Sequence, residues 1–159
     1  ALPLLPANVR LLIAGGGPER AALQRQVQLR GVNDRVQFVG VVPQADLKWW
    51  YSAADALTLC SSREGWANVL LESMACGTPV VAANIWGTPE VVASDVAGRL
   101  VPARTSSAFA QVIRQLLANY SDRRQVRAYA EGFSWQSTTD AQLALFSQIK
   151  ATSGVQPNA

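Results

Sequence analysis

Short apolar runs alternate with segments of helical periodicity along most of this chain, and this alternation is typical of α/β proteins. The apolar runs predict strands at 9–14, 36–39, 55–59, 80–83 and 98–101. The helical segments cover 18–30, 44–54, 67–76, 88–93, 106–120, 121–131 and 134–150, with Thr88 and Ser121 as predicted N-caps of the fourth and the sixth. Helical periodicity places Tyr51 in the inner apolar stripe of the second helix and Arg123 on the outer face of the sixth. We expect the strand at 9–14 to be buried. Strands that alternate with helices run parallel, because each helix carries the chain back across the sheet. We therefore predict a Rossmann-like three-layer α/β/α sandwich, with a five-stranded, mostly parallel sheet and helices on both faces.

One domain accounts for residues 1–150, which contain no internal repeat and no linker. The first eight residues are apolar but interrupted by Pro3 and Pro6, so we expect a loosely held leader. Residues 151–159 are polar and contain Gly and Pro, so we expect a frayed tail. The run 80–83 is apolar throughout, which predicts a strand buried on both faces.

The strand at 55–59 leads through a polar loop into the helix that begins near Ala67. Gly77 offers a left-handed end to this helix, and Pro79 lies just beyond it. In an open parallel sheet, the first-turn amides of such a helix point out of the carboxyl edge, where the helix dipole favours an anion. A phosphate group at this edge would bind the backbone amides of Ala67, Asn68 and Val69.

Two carboxylates flank this helix start, Glu64 in the loop and Glu72 inside the helix. Taken singly, Glu72 is explained as a solvated helix residue and Glu64 as a favourable charge near the helix dipole. If a phosphate binds between them, however, both carboxylates lie beside a ligand that also carries hydroxyl groups. A carboxylate only accepts hydrogen bonds and therefore suits sugar hydroxyls.

The composition indicates a globular protein, because 49% of the residues are apolar and only 16% are charged. The net charge of +3 is too small and too scattered to predict nucleic-acid binding. No apolar run reaches membrane-spanning length. Two cysteines without a secretory leader indicate a reducing compartment, so we expect a cytoplasmic location, with peripheral association at the inner membrane face left open.

The absence of histidine excludes a Ser–His or Cys–His nucleophile pair and a histidine metal site within this chain. No two aspartates stand one residue apart, and neither Lys48 nor Lys150 has the context of a pyridoxal-phosphate lysine. We therefore expect no metal and no cofactor.

Three glycines, Gly15, Gly16 and Gly17, follow the first predicted strand and invite comparison with a dinucleotide-binding loop. The third glycine position of that fingerprint is occupied by Arg20, and the next strand ends in Gly40 without an acidic residue for a ribose. The pattern therefore disfavours NAD binding, and the glycines stay candidates for a loop beside a different ligand.

The motif around the two carboxylates is more specific. It comprises Ser62, Glu64, Gly65, Trp66 and the run Glu72, Ser73, Met74, Ala75, Cys76, Gly77, Thr78, Pro79, Val80 and Val81, followed by 87–92 and 98–102. The chain thereby resembles the C-terminal, donor-binding half of the GT-B retaining glycosyltransferases of group 1, a family that includes sucrose synthase and many bacterial polysaccharide glycosyltransferases. Two aromatic residues depart from the usual pattern: Trp66 stands where Phe is commoner, and Trp86 where a second Gly is usual.

The resemblance implies a nucleoside diphosphate sugar as donor and transfer with retention of the anomeric configuration. It also implies that Glu64 and the amides of Gly65 and Trp66 bind the donor sugar, and that Glu72 binds the ribose. Val41 and Val42 would lie beside the base. The diphosphate would be surrounded by Ala67, Asn68, Val69 and Leu70. During transfer of the sugar, negative charge grows on the departing diphosphate. Fixed backbone amides and a helix dipole would stabilise this charge.

The family also carries an earlier strand and loop, with an Arg and a Lys that neutralise the diphosphate, and an N-terminal acceptor-binding domain. We therefore expect this chain to lack its first βα unit, to leave a sheet edge exposed, and to be inactive in isolation. Two alternatives stay open: half of a nucleotide-sugar epimerase, and a non-catalytic nucleotide-binding scaffold. The base, the sugar, the acceptor and the oligomeric state are left undetermined.

Overall fold

A computed structural model describes residues 1–152, apart from the side chain of residue 137. The strands within these residues are β1 (Leu11–Ala14), β2 (Val36–Gly40), β3 (Leu57–Leu59), β4 (Val80–Ala83) and β5 (Gly98–Val101). The helices are α1 (Arg20–Leu29), α2 (Gln44–Ala53), α3 (Asn68–Ala75), α4 (Thr88–Val91), α5 (Ser106–Ala118), α6 (Arg123–Glu131) and α7 (Trp135–Thr152). Every strand pair is parallel, which confirms the predicted Rossmann-like α/β architecture.

The strand pairing differs from the predicted single sheet. β1 pairs with β2, while β3, β4 and β5 form a second sheet in that order, and no hydrogen-bonded ladder joins the two groups within the described residues. In the 3-2-1-4-5-6 order of Rossmann folds, these groups correspond to positions 3-2 and 4-5-6. Within the described residues, the unpaired edges are therefore those of β1, β2, β3 and β5. In the Rossmann order, the edges of β1 and β3 border position 1.

The core is centred on β4, whose four residues are all buried, as the sequence predicts. Val80 and Ala82 face a cluster formed with α3 and α6, while Val81 and Ala83 face α5. From α3, Leu70 and Met74 are completely buried in the first cluster. Each fully buried side chain of this size contributes about 1.5 to 3 kcal/mol relative to exposure. The packing of α3 against β4 therefore sets the position of the α3 start.

The N-terminal residues are held in place, so the expectation of a loose leader was wrong. Leu2 and Leu5 are buried in a cluster with Val32 and Ala110. The chain turns here through a short 3-10 helix, Leu2–Leu4, which leaves carbonyl groups to be satisfied by side chains. The donors are Arg35, to the carbonyls of Leu5, Pro6 and Val9, and Arg114, to the carbonyl of Leu4. Burial of the two leucines and hydrogen bonds from the two arginines together hold the N-terminal residues against the rest of the fold.

Three smaller predictions also need correction. In β1 the side chains alternate between half-buried and exposed, so this strand is not buried as expected. The cap of α6 is Asp122 and not Ser121. Ala151 and Thr152 are helical, and the remainder of the expected tail, 153–159, lies outside the described residues. By contrast, we expected the apolar side of the last helix to be exposed, and the structure exposes Trp135, Leu143, Phe146 and Ile149 of α7. No helix within residues 1–152 combines the length and the apolar character needed to cross a membrane.

Arg123 is half-buried, although helical periodicity places it on the outer face of α6. Its guanidinium donates to the carbonyls of Ser52 and Ala54 and to the hydroxyl of Thr78. Residues 52 and 54 lie at the C-terminal end of α2, where helix carbonyls lack intrahelical partners. The five-donor fork of an arginine can satisfy several of them at once. Arg123 therefore ties α6 to α2 and to the turn that follows α3.

We expect Arg123→Ala to lower the free energy of unfolding by about 2 to 3 kcal/mol, because three charge-assisted hydrogen bonds are lost, two of them partly buried. Arg124→Ala is the matched control, since Arg124 is exposed and its loss should cost less than about 0.5 kcal/mol. Urea unfolding of the two variants measures the difference. Equal losses would show that the Arg123 contacts do not stabilise the fold.

Candidate functional site

The loops that follow the five strands meet at one edge of the molecule, because parallel strands end on the same side. They are 15–17 after β1, 41–43 after β2, 60–67 after β3, 84–87 after β4 and 102–105 after β5. The predicted site residues lie on the first three of these loops and on α3. Parallel pairing therefore collects them along this edge.

The start of α3 carries no side-chain cap. Its N-cap is the buried Ala67, whereas Thr105 and Asp122 accept first-turn amides at the starts of α5 and α6. Asn68 and Val69 are exposed, while Leu70 is buried.

Two of the predicted phosphate donors already have backbone acceptors. The amide of Asn68 donates to Trp66 O at 3.0 Å, and that of Leu70 to Ala67 O at 3.0 Å. Such short-range bonds have poor geometry, and amides at helix termini are commonly shared between two acceptors. The α3 start therefore offers an anion a positive helix end whose amides have no side-chain cap.

Glu72 lies one turn into α3 and is half-buried. The hydroxyl of Tyr51, on α2, donates to Glu72 Oε2 at 3.1 Å. Burial, and secondarily this hydrogen bond to Glu72, raise the pKa of Tyr51 to about 12. Tyr51 therefore remains a donor at neutral pH and holds the carboxylate in one orientation, while the second carboxylate oxygen keeps its capacity to accept. The sequence placed Tyr51 only in the apolar stripe of its helix.

Glu64 is half-buried in the loop before α3, and this loop is supported by the one that follows β4. A Cβ added to Gly87 would overlap the carbonyl oxygen of Gly65, so the two backbones are in direct contact. Thr88 was predicted to cap α4, but it is the first helical residue and Gly87 is the cap. No hydrogen bond connects Glu64 with Glu72 among the described residues; the helix start lies between them in the chain.

Trp66 is 47% exposed and packs edge-on against Phe133, with ring centroids 6.1 Å apart. Phe133 in turn packs against Tyr129 on α6, at 5.4 Å. The Tyr129 hydroxyl donates to the carbonyl of Val91. This aromatic row fastens the loop before α3 to α6, and Phe133 carried no signal in the sequence because its partners are distant in the chain.

The glycine loop and the candidate base neighbours form a second part of the edge. Gly15 donates its amide to Gly40 O at 2.6 Å, and a Cβ on Gly16 would lie 3.2 Å from Val41 Cγ2. Val41 is 81% exposed, and Val42 is half-buried. The structure therefore brings Gly16 against Val41, on the β1–β2 side of the edge, whereas Glu64 and Glu72 lie on the β3–β5 side.

Two arginines at this edge were not singled out in the sequence. Arg104, after β5, donates to the carbonyl of Cys60, where the chain leaves β3. Arg63 is exposed immediately before Glu64. Both place positive charge on the side of the edge that carries the uncapped helix start, which favours an anionic ligand there.

This chain is similar to known proteins of one family over most of its length. The family model for glycosyl transferases group 1 matches residues 1–133. The chain is 37% identical over 156 residues to the D-inositol 3-phosphate glycosyltransferase of Xylanimonas cellulosilytica, covering 93% of this chain and 37% of that protein. It is 38% identical over 153 residues to the enzyme of the same name from Mycobacteroides abscessus, covering 91% and 34%.

Solved structures agree with this match. HepE of Anabaena in complex with UDP-glucose superposes with a TM-score of 0.75 at 26% identity, covering 92% of this chain and 43% of that one. Sucrose-phosphate synthase from Thermosynechococcus elongatus gives 0.74 at 26%, covering 93% and 47%. The chain thus spans about a third to a half of the length of these relatives. Since the family model covers most of the chain and the strand–loop–helix edge is in place, this chain belongs to the group 1 glycosyltransferases.

Proposed function

We propose that this chain is the donor-binding domain of a retaining glycosyltransferase that moves a sugar from a nucleoside diphosphate sugar to an acceptor. The observation that carries the proposal is the uncapped start of α3, set between the Glu64 loop and the Tyr51–Glu72 pair. An uncapped helix start suits a diphosphate, and the two carboxylates suit hydroxyl groups on either side of it. The UDP and UDP-glucose complexes of the neighbouring HepE structures support this ligand class.

In this proposal the donor lies along the carboxyl edge. Glu64 and the amides of Gly65 and Trp66 hold hydroxyl groups of the donor sugar. The backbone around Ala67–Leu70 surrounds the diphosphate. Glu72, oriented by Tyr51, accepts hydrogen bonds from the ribose hydroxyls one helical turn further on, as the ribose follows the diphosphate in the ligand.

The base lies beside Val41 and Val42, with Gly15–Gly17 as the adjoining loop. The exposure of Val41 and its contact with Gly16 support this placement, because an apolar side chain on a close-approaching backbone suits the face of a base.

The proposed chemistry depends on charge stabilisation. Negative charge grows on the diphosphate as the bond to the sugar breaks, and dipoles already aimed at that position need no reorganisation. These interactions strengthen in the transition state more than in the ground state and therefore accelerate the reaction. The proposal assigns this role to the α3 start, without a metal ion or cofactor.

The acceptor side of the cleft is proposed to come from an N-terminal domain outside this chain. The relatives are two to three times longer than this chain. We therefore expect the isolated chain to bind donor and not to turn over. For the full protein we propose a cytoplasmic location, with peripheral membrane association as an open alternative.

Transfer is favoured over the two alternatives. The matched family and the relatives named above are glycosyltransferases, and none of them supports an epimerase. A scaffold without catalytic function is disfavoured because Glu72 keeps a dedicated hydrogen-bond partner.

Titration with UDP, GDP and ADP tests the proposal. We expect one nucleotide to bind weakly, at about millimolar concentration or on the order of −4 kcal/mol, with NMR shifts at Asn68 and Val69. Asn68→Pro should weaken binding by removing the contact of the Asn68 amide, because proline is tolerated at the first helical position but has no N–H. Asn68→Ala is the matched control, which keeps the amide. If no nucleotide binds to this chain or to a longer protein that contains it, the proposed function is wrong.

A further inference from the structure

A tryptophan stands on the loop after β4, directly beside the Glu64 loop. Trp86 is 69% exposed, and the next residue, Gly87, touches the backbone of Gly65. Trp66, on the other loop, is also substantially exposed. Two indoles therefore border the position that the proposed function gives to the donor sugar, on loops whose backbones are in contact.

The backbone at Trp86 is strained. Its φ of +41° makes it the one residue other than glycine with a positive φ within residues 1–152. A bulky side chain is disfavoured in this region, where glycine is at no disadvantage. Strain of this kind persists when the surroundings fix the conformation, and it concentrates at functional sites.

The surroundings of Trp86 do fix it. The hydroxyl of Thr88 accepts the Ile85 amide at 3.0 Å and lies 2.7 Å from the carbonyl oxygens of Ala83 and Ile85, to either of which it can donate. Thr88 is itself buried. With Gly87 pressed against Gly65 on the other side, the loop has little freedom, and the indole is presented from a rigid support.

We propose that Trp86 determines specificity for the donor sugar by packing its indole against the apolar face of the hexose ring. A pyranose ring presents C–H groups on its faces and hydroxyls around its rim. The exposed indole suits the C–H groups on the face of the ring, and the neighbouring Glu64 carboxylate suits the hydroxyls on its rim. Binding pockets for small ligands commonly combine aromatic walls with a few convergent polar groups in this way. This inference rests on the proposed function.

The geometry favours the sugar over the base as the partner of Trp86. The candidate base neighbours are on the β1–β2 side of the edge, whereas the Trp86 loop contacts Gly65 on the β3–β5 side. Gly65 precedes the α3 start, where the proposal places the diphosphate. Trp86 is therefore beyond the diphosphate, at the sugar end of the donor.

The experiment compares a nucleotide with its sugar conjugate, using UDP and UDP-glucose, GDP and GDP-mannose, or ADP and ADP-glucose, whichever nucleotide binds. The variants are Trp86→Ala, Trp86→Gly and Trp86→Phe, with Trp49→Ala as a control because Trp49 is equally exposed but lies on α2. We expect the affinity advantage of the sugar conjugate to fall by about three- to tenfold in the Ala and Gly variants. The phenylalanine variant and the control should keep most of it.

Two further readouts separate a contact with the sugar from a structural role. The affinity for the nucleotide alone should be unchanged in every variant. Trp86→Gly should melt at a higher temperature than Trp86→Ala, because glycine adopts the positive φ without strain. Nucleotide affinity that falls together with that of the sugar conjugate would assign Trp86 a structural role and overturn the inference.

The outcomes distinguish this inference from the function on which it rests. If neither the wild-type chain nor a longer protein that contains it binds a nucleotide, the proposed function fails and the inference fails with it. If nucleotide binds but the sugar advantage is the same in all Trp86 variants, the inference alone is wrong. A third arm of the experiment measures the affinity for methyl glucoside in the presence of nucleotide. If the Trp86 variants change only this affinity, Trp86 does not contact the donor sugar, and the inference is overturned.

Discussion

Gly98→Ala is expected to cost roughly 3 to 5 kcal/mol, a loss large enough to unfold a marginally stable domain. A Cβ at this position would overlap the carbonyl oxygen of Val80 and come within 2.8 Å of its carbonyl carbon and amide nitrogen. Val80 is the registered partner of Gly98 in the β4–β5 pair and is completely buried. Since β4 is packed on both faces, it cannot move aside, and the two strands must separate.

Urea unfolding measures this loss, with Gly31→Ala as the matched control. Both glycines have a positive φ, +153° at Gly98 and +63° at Gly31, but a Cβ added to Gly31 would meet no atom within 4 Å. The control therefore carries only the backbone cost of the left-handed conformation, about 1 to 2 kcal/mol. A Gly98→Ala variant no less stable than Gly31→Ala would show that β4 and β5 do not approach as closely as the structure has them.

Glu72→Ala is expected to weaken binding of the nucleoside diphosphate by about tenfold to a hundredfold. Hydrogen bonds to a charged group are worth about 1.5 to 3 kcal/mol, and every 1.4 kcal/mol is a factor of ten in affinity. The proposed ribose contact uses the carboxylate, which Tyr51 holds from the α2 side. Calorimetric titration of the variant with the nucleotide that binds wild-type chain measures the change.

Three comparisons make the Glu72 result specific. Glu72→Gln keeps the size of the side chain and should bind between wild type and Glu72→Ala. Glu131→Ala removes an exposed acid of α6 whose pairing with Arg127 is on the surface, and it should bind like wild type. The pKa of Tyr51 should fall from about 12 in Glu72→Ala but stay above its usual value, because burial is the larger cause. Wild-type affinity in Glu72→Ala would remove Glu72 from the proposed site.

How much the sequence could predict is seen at β4 and α3. The uninterrupted apolar run 80–83 indicated a strand covered on both faces, and the structure buries all four residues. Gly77 indicated a left-handed helix end, and its φ is +77°. These predictions succeeded because they depend on periodicity and on backbone conformations within a few residues, which are written locally in the chain.

Contacts between distant residues were out of reach. Arg123 was assigned to solvent by helical periodicity, yet it binds the end of α2, about seventy residues earlier. Tyr51 was assigned to an apolar stripe, yet its hydroxyl orients Glu72. Periodicity reports which face of a helix is apolar, and it does not report which polar groups a long side chain reaches once the elements pack.

The sequence by itself determined the α/β class, the strands and helices, and the loop–helix motif with its two carboxylates, because each follows from local pattern or from a specific motif. Only the tertiary structure decided how the strands divide into two sheets, which leaves β1 and β3 each with an unpaired edge. It also decided that the Trp86 loop rests against Gly65, and that Tyr51 supports Glu72. These are pairings across long stretches of chain, and they are settled by the packing free energy of the whole fold and not by any one segment.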